Sequence, residues 1–390
     1  MILNKEEKYF EDLGAGHTAR EINQEPTTWK KTCEIIKTKK NEINSFLQNV
    51  LEDDDYDVIL TGAGTSEFVG NSIYPFLNTI LNFKVKSYAT TDIVATPKNY
   101  LHPTRKTLLV SFARSGNSPE SVGTVNVANA VCKNIFHLFI TCNKEGELSK
   151  LASGKGNCLC INLPDETCDK SFAMTSSFSC MYLACILTFM QYKNIEFDEY
   201  VNNIVKGGED LLHNKVDYIE NIVKEFNYQR IVYLGSNGLK GVSQESALKT
   251  CELTAGTIMT SYDSSMGFRH GPKSVVKNDS LSIVYISDNP YTRKYDADIA
   301  KEIAADKTGK LLVVSNEEIK ELKEVSDYYI SFNNPIKLDN VFLGLEYILV
   351  GQLLSLFKSM SIGNTPDNPC STGQVFRVVK GVNIYSYSGE

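Results

Sequence analysis

The chain has 390 residues, of which 42% are hydrophobic and 22% are charged. This length and composition predict two or three domains, each with a buried core. The net charge of −7 and the absence of a basic run exclude nucleic acid as the main partner. An anionic substrate would therefore need a local positive site in a mildly acidic protein.

The sequence also bears on compartment and metal content. The first residues lack the basic, apolar and small-residue order of a signal peptide. The longest apolar stretch that we identify, around residues 180–190, is too short to span a bilayer and predicts a buried helix. Cys158 and Cys160 share one side of a predicted strand, which indicates packing rather than a metal site. We expect a reduced, cytoplasmic protein that contacts no membrane and holds no metal.

Apolar strands alternate with helix-length segments, and the alternation occurs twice. Strands are predicted near residues 58–60, 85–88, 108–111, 136–141 and 159–163, and again near 231–234, 281–286, 311–314 and 329–332. This pattern is typical of the α/β class with parallel sheets covered on both faces. It predicts two tandem doubly wound domains. The expected parts are an N-terminal helical segment (1–45), a first domain (46–200), a second domain (215–362) and a C-terminal tail (363–390).

The loop after the third predicted strand is rich in hydroxyl groups and contains Arg114. It enters a predicted helix that has Ser118 as its N-cap and Pro119 at its first position. Small polar side chains, free backbone N–H groups and a positive helix end favour an anion, and phosphate is the obvious small one. An ordinary strand-to-helix turn is the alternative.

A loose dinucleotide pattern follows the first predicted strand. Residues 62–67, Gly-Ala-Gly-Thr-Ser-Glu, lack the third glycine at the required spacing. We therefore expect phosphate binding here rather than a nucleotide cofactor.

A second cluster lies on a helix predicted over residues 245–255. Glu245, Lys249 and Glu252 recur at i, i+4 and i+7, so they share one helix face. A solvated face with one Glu–Lys pair is the alternative interpretation. Downstream, His270 lies between Arg269 and a Gly-Pro pair, on a constrained loop that can present a side chain. His and Glu are the usual pair for proton transfer near neutral pH.

Several motifs together resemble a known family. They are Gly-Ala-Gly-Thr-Ser (62–66), Ser-Phe-Ala-Arg-Ser-Gly-Asn-Ser (111–118), Glu-Ser-Ala-Leu-Lys-Thr-Cys-Glu (245–252), His-Gly-Pro (270–272) and the tail at 366–385. Their order resembles tandem sugar isomerase (SIS) domains of flavodoxin-like fold. The chain is most similar to the galactosamine-6-phosphate deaminase/isomerase group, also called tagatose-6-phosphate ketose/aldose isomerases.

The resemblance implies roles for matching residues. The sugar phosphate would be held in the first domain by four hydroxyl residues: Thr65, Ser66, Ser115 and Ser118. Glu252 would be the base for a C1–C2 proton shift, His270 would assist ring opening, and Lys249 also matches the family. Arg114 replaces a neutral residue of the related synthase domain, and we expect it to add positive charge to the phosphate site.

The implied reaction needs no cofactor. Galactosamine 6-phosphate would give tagatose 6-phosphate and ammonium, in a homodimer or larger homo-oligomer with a shared active site. Two alternatives stay open on the same scaffold. One is a sugar-phosphate-binding regulator without turnover, and the other is a fructosamine-6-phosphate deglycase.

Overall fold

The computed structural model describes residues 1–52, 55–370, 372–373, 375, 377 and 381–387. Parts of the predicted tail, residues 371, 374, 376, 378–380 and 388–390, lie outside the described residues. Residues 53 and 54 of the predicted first domain also lie outside them.

Strands occur close to where the alternating pattern predicts them. Their bounds are β1 Tyr56–Gly62, β2 Val85–Ala89, β3 Lys106–Ala113, β4 Ile135–Thr141, β5 Cys158–Asn162, β6 Arg230–Gly235, β7 Met259–Asp263, β8 Ser280–Tyr285, β9 Lys310–Ser315 and β10 Tyr328–Ser331.

Helices occupy most of the chain between the strands and before β1. Their bounds are α1 Glu7–Asp12, α2 Gly16–Asn23, α3 Glu25–Thr38, α4 Lys40–Leu51, α5 Thr65–Ile80, α6 Thr90–Ala95, α7 Pro119–Val131, α8 Glu147–Ala152, α9 Ser176–Tyr192, α10 Asp198–Asp210, α11 Val216–Glu225, α12 Gly238–Leu253, α13 Pro290–Asp306, α14 Lys320–Val325 and α15 Asn340–Ser361.

The strands form two parallel five-stranded sheets with the same topology. The first has the order β2-β1-β3-β4-β5, and the second has the order β7-β6-β8-β9-β10. Counted from the first strand of each sheet, both orders are 2-1-3-4-5, which is the flavodoxin-like arrangement. The predicted fold class, two doubly wound parallel α/β sheets, is confirmed.

The chain divides into two compact units, each assembled from separated segments. The β1–β5 unit comprises Thr28–Asp169, Ser176–Phe197 and Gly373–Glu390. The β6–β10 unit comprises Met1–Thr27, Lys170–Thr175 and Asp198–Thr372. The N-terminal helices are therefore shared between the two units, and the domain boundaries given above remain sequence-based predictions.

In the β1–β5 unit, helices cover the sheet because its strands are apolar on both faces. All seven residues of β1 are buried. Helix α9 is almost completely buried, as its apolar sequence predicts, and it packs against α5. The indole Nε1 of Trp29 donates a hydrogen bond of 2.9 Å to Ser179 Oγ on α9, which satisfies a buried polar group. Cys158 and Cys160 both pack against the apolar cluster between β4 and α8.

In the β6–β10 unit, α15 lies against α12 and is buried over nearly its whole length. It is the one helix of the described chain that is long and apolar enough to cross a membrane, and its apolar window is entirely buried inside the protein. The buried helix predicted around residues 180–190 is confirmed, but the sequence analysis did not identify α15. Gly, Glu and Gln residues interrupt the apolar run of α15 and obscure it in the sequence.

Like α15, strand β7 was not predicted from the sequence. Its sequence, Met-Thr-Ser-Tyr-Asp, has no apolar run, and its residues are half-buried or exposed. It lies at the edge of the second sheet and, among the described strands, pairs with β6 alone. An edge strand needs less apolar surface, so the sequence gives a weak signal there.

Candidate active site

The first predicted phosphate loop is the turn between β1 and α5. Gly64 has φ 56° and ψ −127°, a conformation that favours glycine because a Cβ atom would be strained there. The turn places Thr65 and Ser66 in the first turn of α5, where both are buried. The positive end of the dipole of this 16-residue helix favours an anion at the same place.

The second predicted phosphate loop joins β3 to α7. The structure confirms Pro119 as the first residue of α7 and Ser118 as its N-cap. The Ser118 hydroxyl accepts a hydrogen bond from the backbone N–H of Ser121 at 3.3 Å and lies 2.7 Å from Ser121 Oγ. Ser115 is half-buried, and its Oγ accepts from the Asn117 N–H at 3.3 Å. The loop therefore presents hydroxyl groups at a capped helix N-terminus.

Arg114 is 7% exposed, although it is on a loop. One of its terminal nitrogens, Nη2, donates a hydrogen bond of 2.9 Å to the backbone carbonyl of Arg377 in the C-terminal tail. Arg114 thus connects the tail to the loop that contains Ser115.

Thr65, Ser66, Arg114, Ser115 and Ser118 follow two neighbouring strands. β1 and β3 pair in parallel, with Thr61 opposite Ser111, so the loops after them leave the same edge of the sheet. In a 2-1-3-4-5 sheet this is the topological switch point, where ligands bind beyond the carboxyl ends of the strands. The structure therefore brings the five predicted phosphate residues to one edge of the first sheet.

Two buried hydroxyl groups at this switch point were not among the predicted site residues. Thr61 Oγ1 and Ser111 Oγ have no hydrogen-bond partner among the described protein atoms. A buried polar atom without a protein partner calls for a water or a ligand. The sequence signal was present, since both are polar residues near the end of an apolar strand.

The predicted catalytic helix is α12, which begins at Gly238, earlier than expected, and ends at Leu253. Lys249 Nζ lies 3.2 Å from Glu245 Oε1 and 2.5 Å from Glu252 Oε2. The side chains of Lys249 and Glu245 are fully buried, and that of Glu252 is 25% exposed. The alternative of a solvated helix face is therefore wrong, because two of its three charged side chains have no contact with solvent.

The burial changes the electrostatics of the cluster. Burial alone lowers the pKa of Lys249, but the charges and hydrogen bonds of Glu245 and Glu252 outweigh it and raise the pKa above its ordinary value. Lys249 is therefore a permanent cation at neutral pH. Glu245 and Glu252 both pair with Lys249, but only Glu252 is partly exposed to solvent. Glu252 is therefore the carboxylate that can contact a substrate.

Buried hydroxyl groups fix the position of α12. Ser246 Oγ lies 2.9 Å from the Tyr285 hydroxyl of β8. Thr250 Oγ1 lies 3.0 Å from the Tyr233 hydroxyl of β6 and 2.8 Å from Ser355 Oγ of α15. Sequence analysis missed these contacts because they join residues far apart in the chain.

His270 lies on the loop that follows β7 and is exposed. Gly271 has φ 118°, a backbone conformation that only glycine adopts readily, so the chain turns sharply after the imidazole. Arg269 Nε donates a 2.6 Å hydrogen bond to Glu302 on α13. This supports the interpretation of a constrained loop that presents a histidine.

Of the other four histidines, one is buried and three are exposed. His137 is buried on β4, where burial lowers its pKa to about 4 and Asn129 Oδ1 lies 2.9 Å from Nε2. The other three are exposed: His17, His102 and His213.

Comparison with known proteins agrees with this fold and these loops. A family model described as SIS domain matches residues 51–191, which contain both phosphate loops. The protein is thus an SIS-domain protein with a second sheet of identical strand order.

The curated D-galactosamine-6-phosphate deaminase AgaS of Shewanella sp. (strain ANA-3) is 39% identical over 99% of this chain and 96% of its own length. A crystal structure from Clostridium novyi NT has a TM-score of 0.95 at 42% identity and covers 99% of each chain. That of tagatose-6-phosphate ketose/aldose isomerase from Escherichia coli has a TM-score of 0.86 at 36% identity and covers 95% of this chain and 97% of its own. The chain belongs to the AgaS family.

Proposed function

We propose that this protein is a galactosamine-6-phosphate deaminase/isomerase that forms tagatose 6-phosphate and ammonium. The observation that carries the proposal is the pairing of Glu252 with the buried cation Lys249, in which Glu252 alone stays accessible. A carboxylate with one fixed cationic partner is suited to move a proton between neighbouring carbons. The names of the relatives support this substrate.

His270 acts first in the proposed reaction. A hexose phosphate is mostly a closed ring, so His270 transfers the proton that opens the ring to the free aldehyde. Glu252 then removes the proton from C2 and returns one to C1 through an enolamine. The resulting ketimine adds water at C2 and releases ammonium, which leaves the ketose phosphate.

The phosphate group is bound by the loops after β1 and β3. Thr65, Ser66, Ser115 and Ser118 contribute hydroxyl or backbone N–H donors. Arg114 contributes a fixed positive charge, which the acidic chain otherwise lacks in these loops.

Aldose–ketose isomerisation of a 2-hydroxy sugar is the second candidate function. The Escherichia coli neighbour is named for it, and the same proton shift by Glu252 would achieve it without ammonium release.

The deciding experiment measures ammonium release from galactosamine 6-phosphate and glucosamine 6-phosphate without added cofactor. We expect rapid release from the galacto sugar, and a glucose 6-phosphate or galactose 6-phosphate control that gives ketose without ammonium identifies the plain isomerase. No turnover of any of these sugars, together with measurable binding, would favour the regulator. Release of an amino acid from a fructosamine 6-phosphate would favour the deglycase.

Replacing Arg114 with alanine is expected to raise KM for the sugar phosphate by about 10- to 100-fold with little change in kcat, since a charge-assisted hydrogen bond contributes about 1.5–3 kcal/mol. Steady-state kinetics of R114A and R114K would test this. The lysine variant keeps the charge and should recover part of the affinity. A KM equal to that of the unmodified enzyme in R114A would exclude the phosphate role.

The exposure of His270 supports a homo-oligomer in which this residue serves the active site of a neighbouring subunit. Mixing E252Q and H270N chains tests the arrangement, because a mixed dimer would contain one intact site. After subunit exchange we expect about one quarter of the unmodified activity from an equal mixture. If His270 instead acted in the active site of its own subunit, every site in the mixture would stay defective. The mixture would then show only the residual activities that the two variants contribute.

We also propose that the protein is cytoplasmic. All ten cysteines have free thiols, five of them buried, and this is typical of a reducing compartment.

A further inference from the structure

The second sheet repeats the anion-binding architecture of the first. Asn237, in the turn after β6, has φ 58° and ψ −132°, nearly the same backbone conformation as Gly64 after β1. Helix α13 begins as α7 does, with a polar N-cap, Asn289, followed by proline at the first position. The switch point between β6 and β8 therefore has the framework of a second phosphate site.

At this second switch point, a carboxylate of the protein itself accepts the hydrogen bonds that a bound anion would accept. Asp296 on α13 is fully buried. Its Oδ1 accepts hydrogen bonds of 2.5 Å from Ser236 Oγ and from Ser265 Oγ, and its Oδ2 accepts one of 3.1 Å from the Ser287 N–H. These three donors lie on the segments after β6, β7 and β8. One side chain thus joins the three segments at this edge of the sheet.

The segment after β7 is the one that contains His270. Within it, the Phe268 N–H donates to the Ser264 carbonyl at 3.1 Å and the His270 N–H donates to the Gly267 carbonyl at 2.9 Å. Phe268 is buried in the core between the sheet and α13. Ser265 therefore anchors the start of a compact turn that ends at the imidazole.

Further contacts hold the other end of the same turn to α13. Arg269 donates to Glu302, and Lys273 forms ion pairs with Glu302 and Asp306. In the sequence, His270 lies between Arg269 and Lys273. Helix α13 therefore holds the loop on both sides of His270. Of the α13 side chains in these contacts, Asp296 alone is fully buried.

We propose that Asp296 is a built-in carboxylate that fills the second switch point and acts as a positioning residue for His270. The inference rests on the catalytic role proposed for His270. At the first switch point, the buried Thr61 Oγ1 and Ser111 Oγ instead have no hydrogen-bond partner among the described protein atoms, so this edge of the sheet is left to bind the substrate phosphate. Each chain then binds one phosphate, although it contains two anion-site frameworks.

The test compares D296A and D296N with D298N, which removes an exposed charge from the same helix. We expect D296A to lower kcat by about 10- to 100-fold with KM within about twofold, because misplacing a reacting group by about 1 Å has effects of this size. D296N, which keeps the shape and the hydrogen bonds from the two hydroxyls, should lose less. D298N should match the unmodified enzyme. Formate, a one-carbon carboxylate, should restore part of the activity of D296A by occupying the vacated position.

A double-variant cycle shows whether Asp296 acts through His270. In the H270N background, D296N should cause no further loss, because the group that it positions is already gone. An equal loss in both backgrounds would overturn the proposal, and so would a raised KM with unchanged kcat.

Hydrogen–deuterium exchange supplies a readout that does not need turnover. The amides of residues 264–270 should exchange faster in D296A and be protected again by formate, while D298N leaves them unchanged. If D296A does not fold, the same comparison is made with S265A, which removes the hydroxyl that joins this segment to Asp296. Unaltered exchange in this segment would overturn the proposal. Absence of ammonium release by the unmodified enzyme would instead overturn the proposed function, and the exchange result would still apply.

Discussion

Replacing Glu252 with glutamine is expected to lower kcat for ammonium release by about 10²–10⁴-fold, the usual contribution of a general acid–base group. Glutamine keeps the size and hydrogen-bonding capacity of the side chain but cannot accept the C2 proton. Substrate binding should change little, because the phosphate residues are on other loops. KM should therefore stay within a few fold.

Steady-state kinetics with the galacto sugar would be combined with deuterium incorporation at C1 of the product in heavy water. Both signals should disappear together in E252Q. E321Q is a suitable control, because Glu321 is an exposed carboxylate on α14 of the same unit. Retention of proton exchange in E252Q would remove Glu252 as the base, whatever happens to the overall rate.

Replacing Lys249 with methionine is expected to lower the free energy of unfolding by about 3–5 kcal/mol, because it leaves a buried carboxylate without its countercharge. Glu245 should account for most of the loss, since its side chain is fully buried while that of Glu252 is partly exposed. Denaturant unfolding would measure the effect. The double variant E245Q/K249M should recover part of the stability by removing the uncompensated charge.

Lys358 provides a matched control for this prediction. It is also buried, and burial lowers its pKa, but its recorded hydrogen bond, of 2.9 Å, is to the neutral Asn227 Oδ1. K358M therefore leaves no buried charge behind and should cost less than K249M. Equal losses in the two variants would show that side-chain packing, rather than the ion cluster, explains the effect.

The pH dependence follows from the sign of the Lys249 shift. Its folded pKa is raised above the ordinary value of 10.5, so its stabilising contribution is complete below that value and is lost as pH rises through the folded pKa. The double variant E245Q/K249M removes the buried carboxylate as well, so the difference in unfolding free energy between it and the unmodified chain should be constant from about pH 7 to pH 9. A difference that disappears within this range would contradict the assignment of Lys249 as a permanent cation.

Local sequence features determined a large part of this structure. The alternation of apolar strands with helix-length segments was sufficient for the class and for the duplication, because parallel sheets need strands that are apolar on both faces. The start of α7 was predicted from Ser118 and Pro119, since N-capping depends on a few neighbouring residues. Two elements with weak hydrophobic patterns, β7 and α15, were not predicted. The first is a polar edge strand, and the apolar run of the second is interrupted.

The tertiary structure decided what the charged residues do. Spacing placed Glu245, Lys249 and Glu252 on one helix face, but the packing of α12 against α15, β6 and β7 determined that Lys249 is buried and Glu252 accessible. No local pattern distinguishes Asp296 from the exposed Asp298 two residues later, because the partners of Asp296 come from the segments after three different strands. Spacing thus fixes which residues share a helix face, whereas burial and long-range hydrogen bonds exist only once the sheet edges and helices have packed.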